Sequence, residues 1–212
     1  MIKGNLIIIS SPSGGGKGTL IKEVLRTVPD IAYSISFTTR QMRDDEVNGK
    51  DYFFVSCEEF DNLIKQGEFL EYAQVHGNFY GTSIQQIKSE TEGGRDVILE
   101  IDVQGAESVR KLLPEAVSIF ILPPSFEVLQ NRLINRATEK KADLNLRLHN
   151  SFQEVRRYNE FEYIVINDDV AQATSDLQSI IIAERLKRIR QTDAIRVILD
   201  SFDTFKISNI GD

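Results

Sequence analysis

The sequence predicts an α/β fold, a parallel sheet covered by helices on both faces and interrupted by a small mixed α/β insertion. Three observations predict it. Apolar, β-branched runs at 6–10, 96–101, 116–122 and 163–166 show little alternation, as strands buried on both faces do. Segments of helical spacing at 18–27, 104–113, 125–135 and 170–190 follow them, and strands alternating with helices build a parallel sheet. Between 37 and 83 this rhythm gives way to a charged loop and short strands around turn signals. The expected division is a core of 1–36 and 84–190, an inserted unit of 37–83, and a tail of 191–212.

Taken in order, 6–10 is the first strand, and the helix of 18–27 ends near Pro29. Residues 32–39 alternate weakly and read as one short strand. The polar stretch 40–50 carries Asn48-Gly49 as its turn signal, and 51–55 is strand-like. Ser56 with Glu59 three residues on opens a capped helix over 56–66. Strands at 69–75 and 78–82 flank His76-Gly77, and a helix over 83–91 is broken at Gly93-Gly94. Pro123-Pro124 stops the strand of 116–122. The stretch 136–143 has mixed charge and little apolar content, and 144–158 reads as a helix. In the tail, 194–202 is amphipathic and the end is polar, a pattern of terminal disorder.

The first strand runs into Ser11-Pro12-Ser13-Gly14-Gly15-Gly16-Lys17-Gly18-Thr19. A strand, a glycine loop and a helix start in that order form a phosphate cradle. The glycines let successive N–H groups point inward, and the helix N-terminus adds partial positive charge. Lys17 supplies a point charge for the terminal phosphates of a nucleotide. Against the pattern G-x-x-x-x-G-K-[ST], Ser11 replaces the first glycine and Gly18 the hydroxyl residue, while Thr19 keeps a hydroxyl one residue on. The sheet is therefore expected to be of the P-loop NTPase type, with ligands beyond the C-terminal ends of its strands.

A second apolar strand ends in Glu100-Ile101-Asp102. Alternation puts Glu100 and Asp102 on one face, where they can reach a metal ion through its waters. A third cluster, Ser36-Phe37-Thr38-Thr39-Arg40-Gln41-Met42-Arg43, sets two arginines among hydroxyls, which suits a phosphate gripped by forked hydrogen bonds. Tyr52 and Tyr80 add phenolic donors.

Thr38-Thr39-Arg40-x-x-Arg43-x-x-Glu46-x-x-Gly49-x-x-Tyr52-x-Phe54 closely resembles the signature of guanylate kinases. The resemblance continues through Phe69-Leu70-Glu71-Tyr72-Ala73, Gly77-Asn78-Phe79-Tyr80-Gly81-Thr82, Ile101-Asp102-x-Gln104-Gly105, Ile121-Leu122-Pro123-Pro124-Ser125 and Ile166-Asn167-Asp168-Asp169. It implies transfer of the γ-phosphoryl group of ATP to GMP, with Mg²⁺ as cofactor. It assigns the GMP phosphate to Ser36, Arg40, Arg43, Tyr52 and Tyr80, and the guanine base to Glu71, Thr82 and Asp102. Guanine presents two donors on one edge, and a carboxylate offers two acceptors to match them.

The resemblance also makes 37–83 a GMP-binding subdomain and 136–146 a lid. Arg132, Arg136 and Arg147 then close over ATP and stabilise charge on the moving phosphoryl group, with Lys17 and Arg40 also catalytic. Residues 11–19, Arg132 and Asn167 would hold ATP, Asn167 near the adenine. The chain departs from the family pattern at Asp44-Asp45, which replaces Pro-Gly, at Glu100, which replaces an aspartate, and in the lid, Arg136-Ala137-Thr138-Glu139-Lys140-Lys141. Guanylate kinase-like folds also serve as inert protein-binding modules, and related enzymes use other acceptors.

A formal net charge of −7 argues against nucleic acid as the main partner. No apolar run is long enough for a bilayer, no signal peptide precedes the first strand, and Cys57 is the single cysteine. A cytoplasmic protein acting on small nucleotides is expected. A homo-oligomer is compatible with the sequence, the basic residues between Arg185 and Arg190 serving subunit contacts or the solubility of a helix end.

Overall fold

The computed structural model describes residues 3–75, 77–135 and 141–209, without the side chains of 141–144 and 206–209. Five strands form the main sheet: β1 (Leu6–Ser10), β2 (Ile31–Tyr33), β7 (Asp96–Glu100), β8 (Val117–Leu122) and β9 (Tyr163–Ile166). They run in the order β2-β7-β1-β8-β9, and every pairing is parallel. Around them lie α1 (Lys17–Thr27), α3 (Ile84–Glu92), α4 (Val103–Leu112), α5 (Phe126–Asn135), α6 (Lys141–Val155) and α7 (Val170–Arg185).

The period-2 geometry of β1 divides the core in two. Ile7 and Ile9 pack with Leu20, Ile21 and Val24 of α1 and Ala173, Leu177 and Ile181 of α7. Leu6 and Ile8 pack on the opposite face with Ile87 of α3 and Val103, Ala106 and Val109 of α4. Burial on both faces explains why these strands read as unbroken apolar runs. From β1 the chain crosses by α1 to β2, and from the adjacent β7 it crosses by α4 to β8, on the other side of β1. Connections leaving neighbouring strands in opposite directions open a crevice at their carboxyl ends.

A second, mixed sheet contains β3 (Phe37–Thr38), β4 (Phe53–Phe54), β5 (Phe69–Val75) and β6 (Asn78–Ser83) in the order β4-β3-β6-β5. It is held to α2 (Cys57–Gln66) by aromatic packing: Phe60 lies 4.7 Å from Phe69 and 5.6 Å from Phe79 between ring centroids. The Ser56 hydroxyl accepts from the Glu59 amide while the Glu59 carboxylate accepts from Ser56, so the predicted capping box forms.

The structure revises several expectations. Residues 32–39 are not one strand: β2 ends at Tyr33 in the main sheet and β3 begins at Phe37 in the second. The chain changes sheets between them, where the Gln86 side chain accepts from the Ile35 N–H and donates to the Ile35 carbonyl. The strand expected at 51–55 shrinks to Phe53–Phe54. The final long helix stops at Arg185 and a 3₁₀ turn over Arg188–Arg190 follows. The tail forms a helix, α8 (Thr192–Asn209), where a polar, disordered end was expected. Of the expected lid, 136–140 lie outside the described residues and 141–146 belong to α6. Among the described residues no helix is long and apolar enough to cross a membrane.

Candidate active site

The glycine loop follows β1 directly. Gly14 and Gly16 have φ of +84° and +88°, a left-handed backbone that side chains rarely adopt. Gly16 is the N-cap of α1, and a Cβ there would lie 2.3 Å from Asn167 Nδ2. Lys17 is the first helical residue, and no acidic side chain occupies the first turn of α1. The partial positive charge at that N-terminus is therefore left for a ligand.

Two outside elements hold the loop. Asn167, just beyond β9 and 2 % exposed, donates from Nδ2 to the Gly15 carbonyl at 2.9 Å. Arg132 of α5 donates to the Asn167 carbonyl at 2.9 Å, while its Nη1 is buried without a hydrogen-bond partner. On the other side, the Ser13 N–H donates to Glu154 at 2.9 Å and the Ser13 carbonyl accepts from the Ser151 hydroxyl at 3.2 Å. Ser151 also donates to the carbonyl of Arg147, one helical turn earlier on α6.

Lys17 faces Glu100 at the end of β7, with Nζ 3.6 Å from Oε1. The other oxygen of Glu100 accepts from the Tyr33 hydroxyl at 3.1 Å. Burial, followed by the charge of Glu100, pushes the Tyr33 phenol far above its ordinary range, so it stays a donor. Lys17 and Glu100 open onto a cleft that Ser36, Tyr52, Tyr80, Glu71 and Asp102 also line.

Within that cleft Glu71 of β5 is 7 % exposed and paired across the strands with Thr82 of β6, whose hydroxyl donates to it. Burial raises the Glu71 carboxyl to about 7, with Asp102 adding to the rise and the Thr82 hydrogen bond opposing it. Gly105 leaves room for Glu71, because a Cβ there would lie 2.8 Å from its Oε2. Asp102 lies beyond the strand as the N-cap of α4, accepting from the Gly105 N–H at 2.9 Å and from Gln104 Nε2 at 3.2 Å.

The loop after β3 brings Arg40 over the ring of Tyr52, 5.3 Å from its centroid, and Tyr52 packs edge-on against Tyr80. The guanidinium forks onto Glu46 at 2.6 and 2.9 Å, and the Arg43 N–H donates to the same carboxylate at 2.9 Å. The Arg40 hydrogen bonds hold Glu46 below the usual carboxylate range.

Residues 3–184 match the guanylate kinase family model. The chain belongs to the guanylate kinase family. It is 50 % identical over 199 residues to a guanylate kinase of Neisseria meningitidis, covering 94 % of this chain and 97 % of the relative. It is 44 % identical over 193 residues to one of Clostridioides difficile, covering 91 % and 94 %. The crystal structure of guanylate kinase from Anaplasma phagocytophilum superposes with a TM-score of 0.75 at 34 % identity, covering 89 % of each chain.

Within this guanylate kinase fold, the expected site residues are gathered unevenly. Lys17, Ser36, Tyr52, Tyr80, Glu71, Asp102 and Glu100 share one cleft, and Thr82 bonds Glu71 from behind. Ser11 and Pro12 are buried under the loop, Ser13 is held by α6, and Thr19 is exposed at the start of α1. The Asn167 side chain is turned into the loop it supports. Arg43 is exposed, Arg147 lies on α6 beside the Ser13 contacts, and Arg136 lies outside the described residues. Of the two histidines, His149 is exposed and His76 lies outside the described residues.

Sequence reasoning missed Tyr33, Ser151 and Glu154, and gave Glu46 no role. Glu46 stood within the signature, where its spacing from Arg40 was the available signal. The other three act across 67 to 141 residues of chain and leave no local pattern.

Two predictions arise here. A Cβ on Gly18 would meet only Glu100 Oε1, at 3.9 Å, an ordinary contact. Gly18→Ser should therefore keep kcat within about threefold of wild type in steady-state assays. Tyr33→Phe removes the donor that fixes Glu100 opposite Lys17. It should lower kcat about tenfold with the GMP KM unchanged, since one hydrogen bond to a charged carboxylate contributes about 1.5 kcal/mol.

Proposed function

We propose that the protein transfers the γ-phosphoryl group of ATP to GMP, releasing ADP and GDP. The observation that carries this reading is a buried carboxylate, Glu71, lining the same cleft as Lys17 of a phosphate-binding loop. An ionised carboxylate matches the N1–H and 2-amino donors of guanine, whereas adenine presents a bare acceptor at N1 and would repel it. Thr82 holds Glu71 in place, and Asp102 adds a second acceptor at the base.

In this reading residues 37–83 form the acceptor-binding unit, 136–146 the lid, and 1–36 with 84–190 the core. Tyr52, Tyr80 and Ser36 direct hydroxyls at the GMP phosphate. Arg40 keeps N–H donors beyond those that Glu46 engages, and Arg43 adds charge from the loop rim. The loop amides and the α1 N-terminus receive the ATP phosphates. Lys17 neutralises charge where the γ-phosphoryl group leaves.

A GMP phosphate oxygen forms the new bond to the γ-phosphorus as the bond to the β-bridging oxygen breaks, and ADP leaves with that electron pair. The nucleophile is already anionic, so no general base is required, and the protein supplies position and field. Arg132, whose Nη1 is an unused buried donor, suits an ATP phosphate oxygen; Arg147 and Arg136 add charge as the lid closes.

Among the described residues no three His, Cys, Asp or Glu side chains group to hold a metal. The two carboxylates that line the cleft beside Lys17, Glu100 and Asp102, suit Mg²⁺, which binds through nucleotide phosphates and keeps several waters. Glu100 would hold such a water, and Asp102, with its oxygens engaged by the start of α4, would do so more weakly. When bound, the ion would supply neutralisation of phosphate charge.

An ADP-release assay with GMP, AMP, UMP or no acceptor tests the proposal. GMP should be turned over, with kcat/KM for AMP lower by about 10³-fold or more. Equal use of AMP would overturn the base assignment, and no turnover with any acceptor would overturn the enzyme.

A further inference from the structure

The phosphate loop is gripped from outside at two of its carbonyls. The Ser13 carbonyl accepts from the Ser151 hydroxyl of α6 at 3.2 Å, and the Gly15 carbonyl accepts from Asn167 Nδ2 at 2.9 Å. In a trans peptide the C=O and the N–H that follows it point in opposite directions, and among the described residues no peptide bond is cis. Ser151 therefore turns the Gly14 N–H away from α6, and Asn167 turns the Gly16 N–H away from its own amide. Among the described residues neither of these two amides has a hydrogen-bond partner, so both are left for an anion.

The Ser13 N–H is held as well. It donates to the Glu154 carboxylate at 2.9 Å, so the peptide planes on both sides of Ser13 are tied to α6. The next residue is seated on α5, because a Cβ on Gly14 would lie 3.0 Å from Leu133 Cγ. The loop is thus anchored residue by residue, at 13 by α6, at 14 by α5 and at 15 by Asn167.

Position along α6 gives the first of these anchors a further effect. Arg147, Ser151 and Glu154 follow at intervals of four and three, which places them on one stripe of the helix. That stripe meets the loop through Ser151 and Glu154. Arg147 stands one turn earlier, about 6 Å along the axis, and its carbonyl also accepts from the Ser151 hydroxyl, at 2.8 Å. One hydroxyl therefore joins the loop to the turn of α6 that carries Arg147. Ser151 is 1 % exposed, so water does not compete for it.

We propose that Ser151 and Glu154 are positioning residues for phosphoryl transfer. Their seat on Ser13 aims the Gly14 amide at an ATP phosphate and fixes where Arg147 stands relative to that phosphate. The inference rests on the roles proposed above for the loop and for Arg147 in holding ATP. Both side chains act through the groups they hold, the loop on one side and Arg147 on the other.

Calorimetric titration with ADP and steady-state kinetics on the full chain test it. Ser151→Ala/Glu154→Ala removes two hydrogen bonds to the loop and should weaken ADP binding about tenfold. GMP binding should stay within about twofold, since Glu71, Tyr52 and Tyr80 belong to the second sheet and its loop. The double variant should also lower kcat about tenfold, and Arg147→Ala alone about 100-fold. Added to Arg147→Ala, the two alanines should cost less than about threefold more, because the register they set has no arginine left to place. Glu154→Ala alone should weaken ADP about fivefold, whereas Glu154→Gln keeps an acceptor for the Ser13 N–H and should stay within about twofold of wild type. Unchanged ADP affinity in the double variant overturns the proposal. That titration needs no turnover, so it decides the matter separately from the identity of the acceptor. An equal loss of GMP affinity overturns it as well, since a general loosening of the fold would give that result. So do kcat losses that multiply with Arg147→Ala, or a Glu154→Gln that binds ADP as weakly as Glu154→Ala.

Discussion

Lys17→Ala is expected to lower kcat by at least about 10³-fold while leaving GMP affinity within about twofold of wild type. Lys17 is a quarter exposed and lines the cleft, and its ammonium is carried on the first helical residue of α1. The charge it meets grows as the γ-phosphoryl group leaves, so the loss falls on the transition state more than on either bound substrate. Glu71 is held by Thr82 and has no hydrogen bond to Lys17, so it keeps its geometry. Single-turnover kinetics and calorimetry with GMP separate the two effects. A variant that lost GMP affinity in parallel with kcat would show that Lys17 serves the acceptor.

Glu71→Gln should cost about 10³-fold in kcat/KM for GMP. An amide keeps one acceptor and turns donors toward the donors of guanine, leaving buried groups opposed. Unchanged GMP kinetics in this variant would sink the base assignment. The wild-type enzyme should also show a pH signature at this residue. Its carboxyl is pushed up to about 7 from an ordinary 4.5, chiefly by burial, and only the carboxylate offers both acceptors to guanine. The GMP KM should therefore rise as pH falls below about 7, and Glu71→Gln should lose that limb.

Stability of the free protein carries the opposite sign. A raised acid pKa means that the fold holds a proton the unfolded chain releases. The contribution of Glu71 is fully present below pH 4.5 and is lost as pH rises through about 7. Thermal melts of wild type and Glu71→Gln across that window would read it directly.

The core was legible because its strands are buried on both faces, which writes them as unbroken apolar runs, and because only a glycine loop permits the two left-handed positions before Lys17. The split of 32–39 between two sheets was not legible. Alternation tells which face a residue takes, and it carries no record of which sheet the strand joins. Arg40 and Glu46 could be read as partners only from their place in a signature. Tyr33 and Glu154 reach their partners across the fold, so their neighbours in sequence carry no hint of them. The amphipathic pattern of 194–202 was visible, but the polar residues after it read as an unstructured end, whereas the helix runs on to Asn209.

The Gln86 amide has a mechanical consequence. The second sheet joins the main one by two strands of chain, the crossing after β2 and the return from β6 into α3. Gln86, at the start of the return, grips both backbone groups of Ile35 in the crossing. Two tethers bound together at one place act as a pin. Beyond the pin, β5 also rests on the core: Leu70 packs against the cluster beneath α4, and a Cβ on Gly105 of α4 would lie 2.8 Å from Glu71 Oε2. The two sheets are therefore clasped at two separate places, by the Ile35–Gln86 pair and by the seat of β5 on α4, so the Glu71 wall of the cleft is joined to the Lys17 wall by packing as well as by chain.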